Sequence, residues 1–151
     1  MPRPEGCTNF KLRRLARAVA RRYDEDLREL GMTGEQYSLL SAVLRLAPVR
    51  PGELARALSL DASTLSRNLR PLLQGGWLAL GPGPDGRSRL IEATPQAAEL
   101  REQAKACWRI SQERLNAVLG VERVAALHAL LDECSALIEG EATPEKTRAR
   151  R

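Results

Sequence analysis

The chain has 151 residues, 43% of them hydrophobic but only 3% aromatic, so its core must be built from Leu, Ala and Val. A formal charge of +5 and a pI near 9.6 make a polyanion a natural partner without choosing which one. No apolar run approaches the roughly 18 residues of a membrane span, the start MPRPEGCTNFKLRR lacks the apolar centre of a secretory signal, and Cys7, Cys107, Cys134 and the single His128 have no metal-ligand spacing. A cytoplasmic protein of one domain, or of one compact unit plus an extension, with no metal, cofactor or disulfide framework, is expected.

In chain order, Leu12, Leu15, Ala16, Val19, Tyr23, Leu27 and Leu30 recur at steps of three and four, which predicts a first helix from about Thr8 to Leu30. Thr8 or Asn9 can cap its start and Gly31 ends it, while Arg13, Arg14, Arg17, Arg21 and Arg22 occupy its other side. Thr33 caps a second helix running to about Leu46. VRPGELARAL holds a short third helix with Pro51 in the first turn and Leu54, Ala55 and Leu58 facing inward. After the break at Ser59 and Leu60, Asp61 is a good N-cap for a fourth helix, and two helices joined so tightly form a helix-turn-helix. WLAL and SRLIEA are predicted strands of a hairpin around GPGPDGR. Thr94 and Pro95 open a fifth helix that Gly120 breaks, and Val124, Leu127, Leu131, Cys134 and Ile138 mark a sixth, from Val121 to about Glu139. The final GEATPEKTRARR has no large apolar residue and is expected to be disordered.

The fourth helix, within DASTLSRNLRPL, carries the functional signal. With Leu65 set inward at 100° per residue, Ala62, Leu69, Leu72 and Leu73 share its side. Ser63, Thr64, Arg67, Arg70 and Gln74 gather opposite, with Ser66 and Asn68 at the margins. That outer face holds donors and hydroxyls and no carboxylate, a chemistry suited to phosphates and to base edges in the major groove. Arg87 at the hairpin tip can enter the adjacent minor groove, Arg89 can meet the backbone, and Asp85 is expected to orient an arginine through a charge-assisted hydrogen bond. Pro71 has no N–H for the carbonyl of Arg67, so a bend or loosened last turn is expected beyond Arg70.

LARALSLDASTLSRNLRPLLQGGWL, with DGRSRLIEAT and a capped helix after it, resembles the MarR family of winged helix-turn-helix transcriptional regulators. The sharpest pieces are the Asp85-Gly86-Arg87 wing tip and the Leu90-Ile91-x-x-Thr94 exit strand, while the family's small residue after that threonine falls at Ala97 or Ala98. The resemblance implies a mainly α fold of six helices and a small β-hairpin wing. Residues 1–32 would be an N-terminal dimerisation helix, 33–93 the DNA-binding domain, 94–139 the C-terminal dimerisation helices and 140–151 a tail. It further implies a homodimer on an inverted-repeat operator of double-stranded DNA, acting mostly as a repressor, and released by a small apolar or aromatic acid or by oxidation.

Cys7, beside the start of the first helix and near Lys11, Arg13 and Arg14, is the candidate redox sensor. Cys107 and Cys134 are expected in the core, His128 at an interface, and Tyr23 and Tyr37 in amphipathic packing, with no aromatic stacking box in view. A thiol-based peroxide-responsive regulator is one alternative, and a winged-helix protein-interaction module without specific DNA reading is another. An enzyme is not expected, because nothing in the spacing joins Cys7 to His128 as nucleophile and base.

Overall fold

The computed structural model describes residues 5–141, and these divide between Ser111 and Gln112 into two units. Residues 142–151 of the expected tail lie outside the described residues. The element order is α1 (Thr8–Leu27), α2 (Gly34–Leu46), α3 (Pro51–Ala57), α4 (Ala62–Gln74), β1 (Leu78–Pro82), β2 (Arg89–Ala93), α5 (Pro95–Leu119) and α6 (Val121–Glu141). A 3-10 turn over Arg28–Leu30 follows α1. The chain is thus mainly α, with one hairpin, as the residue pattern predicts.

Local chemistry fixes most of these boundaries. Thr33 and Gln36 close a reciprocal capping box at the start of α2. Gly31 ends the 3-10 turn at φ 64°, a left-handed conformation that a side chain would strain. The start of α1 differs from expectation: Cys7 stands at the N-cap position and no side chain caps the helix there. Thr94 differs too, since its hydroxyl does not cap α5. It donates to the carbonyls of Gly76 and Trp77, at 2.8 and 3.0 Å, and its N–H reaches Trp77 O at 3.0 Å, so it staples the exit of β2 to the entry of β1.

The core of the first unit sits beneath α2, α3, α4 and the hairpin. Leu27, Leu40, Val43, Leu54, Leu72 and Ile91 are completely buried, and each such side chain contributes about 1.5–3 kcal/mol of apolar burial. β1 and β2 pair antiparallel in the register Leu78↔Ala93, Leu80↔Ile91 and Pro82↔Arg89. Val49, just before α3, adds a third rung by exchanging both main-chain bonds with Ile91, at 3.1 and 2.8 Å. The hairpin is therefore rooted in the domain at its base.

In contrast, α1 keeps Phe10, Leu12 and Leu15 exposed. Within the second unit, Leu130, Leu131, Leu137 and Ile138 of α6 are also exposed, as are Cys134 and His128, which corrects the expectation that Cys134 lies in the core of the protomer. Cys107 is half-buried against the core of the first unit, as expected.

Candidate nucleic-acid interface

α4 forms because Asp61 caps it and because Leu65, Leu69 and Leu72, all buried, return at helical spacing. Asp61 Oδ1 accepts from Thr64 N at 2.8 Å and from Ser63 Oγ at 2.6 Å, and Oδ2 accepts from Thr64 Oγ1 at 2.8 Å. These bonds, led by that of the Ser63 hydroxyl, hold the Asp61 carboxyl well below the usual carboxylate range. Thr64 Oγ1 in turn accepts from Arg67 Nη2 at 3.3 Å. Ser63, Ser66, Arg67, Arg70 and Gln74 are exposed, and Thr64 and Asn68 are half-buried.

Of two expectations about α4, one holds and one changes. The helix continues through Pro71 to Gln74, and Leu72, buried in the core, and Leu73, packed beside it, turn inward as expected. The surroundings of the outer face are less free of acid than the helix alone: Asn68 Nδ2 donates to Glu35 Oε2 on α2 at 3.0 Å. Sequence reasoning missed Glu35, which stands 33 residues away and carries no local signal.

At the wing, the tip folds on itself. Gly83 N donates to Ser88 O at 2.8 Å and Gly86 N to Gly83 O at 3.0 Å, with Gly86 at φ 67°. Asp85 was expected to hold an arginine guanidinium, and instead its Oδ1 accepts from Arg87 N at 3.1 Å, Ser88 N at 2.7 Å and Ser88 Oγ at 2.5 Å. A tight turn puts main-chain N–H groups closer to a short carboxylate than any long side chain. Asp85 thus shapes the wing, and the side chains of Arg87 and Arg89 are left exposed. Arg50, at the N-cap of α3, lends its positive field to Asp85 and was also missed from the sequence.

The Ser88 hydroxyl, then the Ser88 and Arg87 N–H groups and Arg50, bring the Asp85 pKa down from 3.8 to about 2. A depressed folded value means that the ionised form supports the wing fully above 3.8, and that this support is lost as pH falls through about 2. The amide resonances of Arg87 and Ser88 should therefore titrate with a midpoint near 2, and a midpoint near 3.8 would show that the carboxylate does not hold the tip.

The family model described as "MarR family" matches residues 30–88, which take in α2, α3, α4, β1 and the wing tip. The HTH-type transcriptional regulator YwoH of Bacillus subtilis is 28% identical over 58% of this chain, and the match spans 64% of that relative's length. The multiple antibiotic resistance protein MarR of Salmonella typhimurium is 33% identical over 70% of this chain and 74% of its own. The chain belongs to the MarR family. The fold of this MarR-family chain is similar to a crystal structure of a mutant MarR from E. coli complexed with operator DNA, with a TM-score of 0.75 and 27% identity over 83% of this chain and 91% of that one.

Beside α4, the MarR-family chain holds a cleft and an aromatic cluster. A cleft of about 620 Å³ opens among α2, the end of α3 and α5, lined by Ser38, Ser41, Arg45, Leu58, Arg101 and Glu102. The Ser41 hydroxyl is buried and has no partner among the described residues. Separately, Trp108 lies 6.5 Å from Tyr23 and 6.4 Å from Tyr37 between ring centroids, so three aromatic side chains do cluster where none was expected. Burial pushes the Tyr23 phenol up. No group of three or more His, Cys, Asp or Glu among the described residues could hold a metal ion.

Proposed function

We propose that this chain is a DNA-binding transcriptional regulator, acting mostly as a repressor, that reads an inverted-repeat operator as a homodimer. One observation carries the proposal: α4 turns Ser63, Ser66, Arg67, Arg70 and Gln74 to solvent beside a wing that does the same with Arg87 and Arg89. Guanidinium forks suit guanine edges and phosphates, and the second helix of a helix-turn-helix is the one that enters the major groove. Residues 33–93 would carry this contact, and residues 1–32 and 94–139 would pair two protomers. The exposed Phe10, Leu12 and Leu15 on α1, and Leu137 and Ile138 on α6, favour that pairing, because an apolar side chain left in water forfeits its burial energy. The E. coli MarR structure with operator DNA supports the same partner. This reading is of a cytoplasmic binder rather than an enzyme; no helix among the described residues is long and apolar enough to cross a membrane.

Selection of bound sequences from random duplex DNA tests the function. An enriched inverted repeat with half-site centres about 10 base pairs apart is expected, and recovery of unenriched sequence would leave only a protein-interaction module. Arg87→Ala should weaken binding to every sequence and lower the slope of log affinity against log salt by about 1 per half-site. A titration at several salt concentrations checks this, and an unchanged slope would place Arg87 away from the DNA.

Release from DNA has two routes. The cleft at Ser41, with Arg45 and Arg101 among its lining residues, suits a small apolar or aromatic acid. Cys7, exposed at the start of α1, suits oxidation to a sulfenic acid or a disulfide. Cys7→Ser should abolish operator release by peroxide, measured by gel shift, whereas the same release in this variant would eliminate the thiol route.

A further inference from the structure

Five side chains on α4 can both give and accept hydrogen bonds, and carboxylates engage three of them: Ser63, Thr64 and Asn68. What each offers to DNA depends on where its hydrogens already go. A hydroxyl has one hydrogen, and Asp61 takes those of both Ser63, at 2.6 Å, and Thr64, at 2.8 Å. The capacity that remains on each oxygen is acceptance, part of which Thr64 uses toward Arg67. Glu35 acts on Asn68 in the same way from another helix, accepting from Nδ2 at 3.0 Å. An ionised carboxylate accepts only, so this partner decides which way the Asn68 amide lies and leaves Oδ1 free.

We infer that Asp61 and Glu35 are specificity-determining positioning residues: by engaging the hydroxyl hydrogens of Ser63 and Thr64 and one amide hydrogen of Asn68, which fixes its Oδ1 outward of that bond, they give α4 an acceptor-bearing strip that recognises the exocyclic amino groups of adenine or cytosine. The inference rests on the DNA-reading function proposed above. In the major groove only adenine N6 and cytosine N4 carry amino hydrogens, whereas guanine and thymine present acceptors. Phosphate oxygens also accept only, so the two hydroxyls are poor phosphate contacts in this arrangement. Arg67 and Arg70 supply the opposite polarity from the same helix. The two carboxylates repel the DNA backbone whatever its sequence, so they lower affinity in general while sharpening choice.

Carboxylate-to-amide changes keep the shape and alter the polarity. In Asp61→Asn the helix cap survives, since asparagine caps about as well as aspartate. The amide oxygen can still accept from Thr64 N, and the amide nitrogen, standing where Oδ2 does, donates to Thr64 Oγ1 and frees its hydrogen. Selection from random duplex DNA with the full-length dimer should then show the preference for adenine or cytosine at one position of each half-site falling about fivefold or more, the size of one lost base contact. Glu35→Gln should do the same at a second position, since glutamine lets the Asn68 amide turn over. Both variants should bind random DNA more tightly than the parent at low salt. Thr64→Val, which removes the hydroxyl and leaves Asp61 in place, should flatten the same position as Asp61→Asn, and it carries the test should Asp61→Asn fold poorly. If the parent selects an inverted repeat and the variants select the same one with equal stringency, this inference is overturned while the proposed function stands. If the parent selects no sequence, both fall.

Discussion

Arg67→Ala should weaken operator binding by about 1–3 kcal/mol in each half-site, roughly 5- to 150-fold, and relax the preference at the base that Arg67 reads. The size follows from its setting. The side chain is exposed, and its hydrogen bond within the chain is a long one to Thr64 at 3.3 Å. A guanidinium so lightly held keeps most of its five donors for DNA, where two can meet guanine O6 and N7 together. For the same reason the fold should hardly notice, with a stability change within about 0.5 kcal/mol. Anisotropy titrations against operator and against single-base variants, at a stated salt concentration, separate the outcomes. A uniform loss over all sequences would reassign Arg67 to phosphate, and undiminished operator affinity would remove it from the interface.

Leu72→Ala should act in the opposite manner, lowering unfolding free energy by about 2–5 kcal/mol. Leu72 is completely buried one residue after Pro71, and its carbonyl accepts from Trp77 N at 3.1 Å on the way into β1. Shortening it leaves a void beneath the end of α4 where the carbonyl of Arg67 already lacks a helical donor, because proline stands four residues on. The surroundings can close such a void only in part, and the lost contacts set the cost. Denaturant melts must be compared at one protein concentration, since pairing of protomers adds to apparent stability. Loss of less than about 1 kcal/mol, the range of a tolerant site, would mean that Leu72 is not the floor of α4.

The features legible in the sequence are those made by near neighbours. Thr33 with Gln36, Asp61 with Thr64, and Gly31 and Gly120 at helix ends each act within four residues, so caps and breaks could be named before any coordinates. The outward set on α4 followed from the same periodicity. What escaped depends on contacts between distant segments. Glu35 meets Asn68, Thr94 meets Gly76, and Trp108 gathers Tyr23 and Tyr37 from other helices, none of which leaves a mark on adjacent residues. Asp85 was misjudged for a related reason: charge complementarity favoured a guanidinium, while the geometry of a six-residue turn favoured main-chain N–H groups. Cys134 shows the limit of periodicity, which marks an apolar stripe without saying whether the protomer itself covers it.

The self-closing tip of the hairpin has a consequence for how such a chain can diversify. From Gly83 to Ser88 the bonds that set its shape are made among those residues themselves, while Val49, Ile91 and Thr94 clamp the root. The segment behaves as an interchangeable head on a fixed shaft. A replacement of similar span would meet a small closure penalty, which grows only slowly with length, and would leave the packed interior untouched. New furrow preferences could thus be acquired by exchanging six residues, with the repeat spacing of the target inherited unchanged.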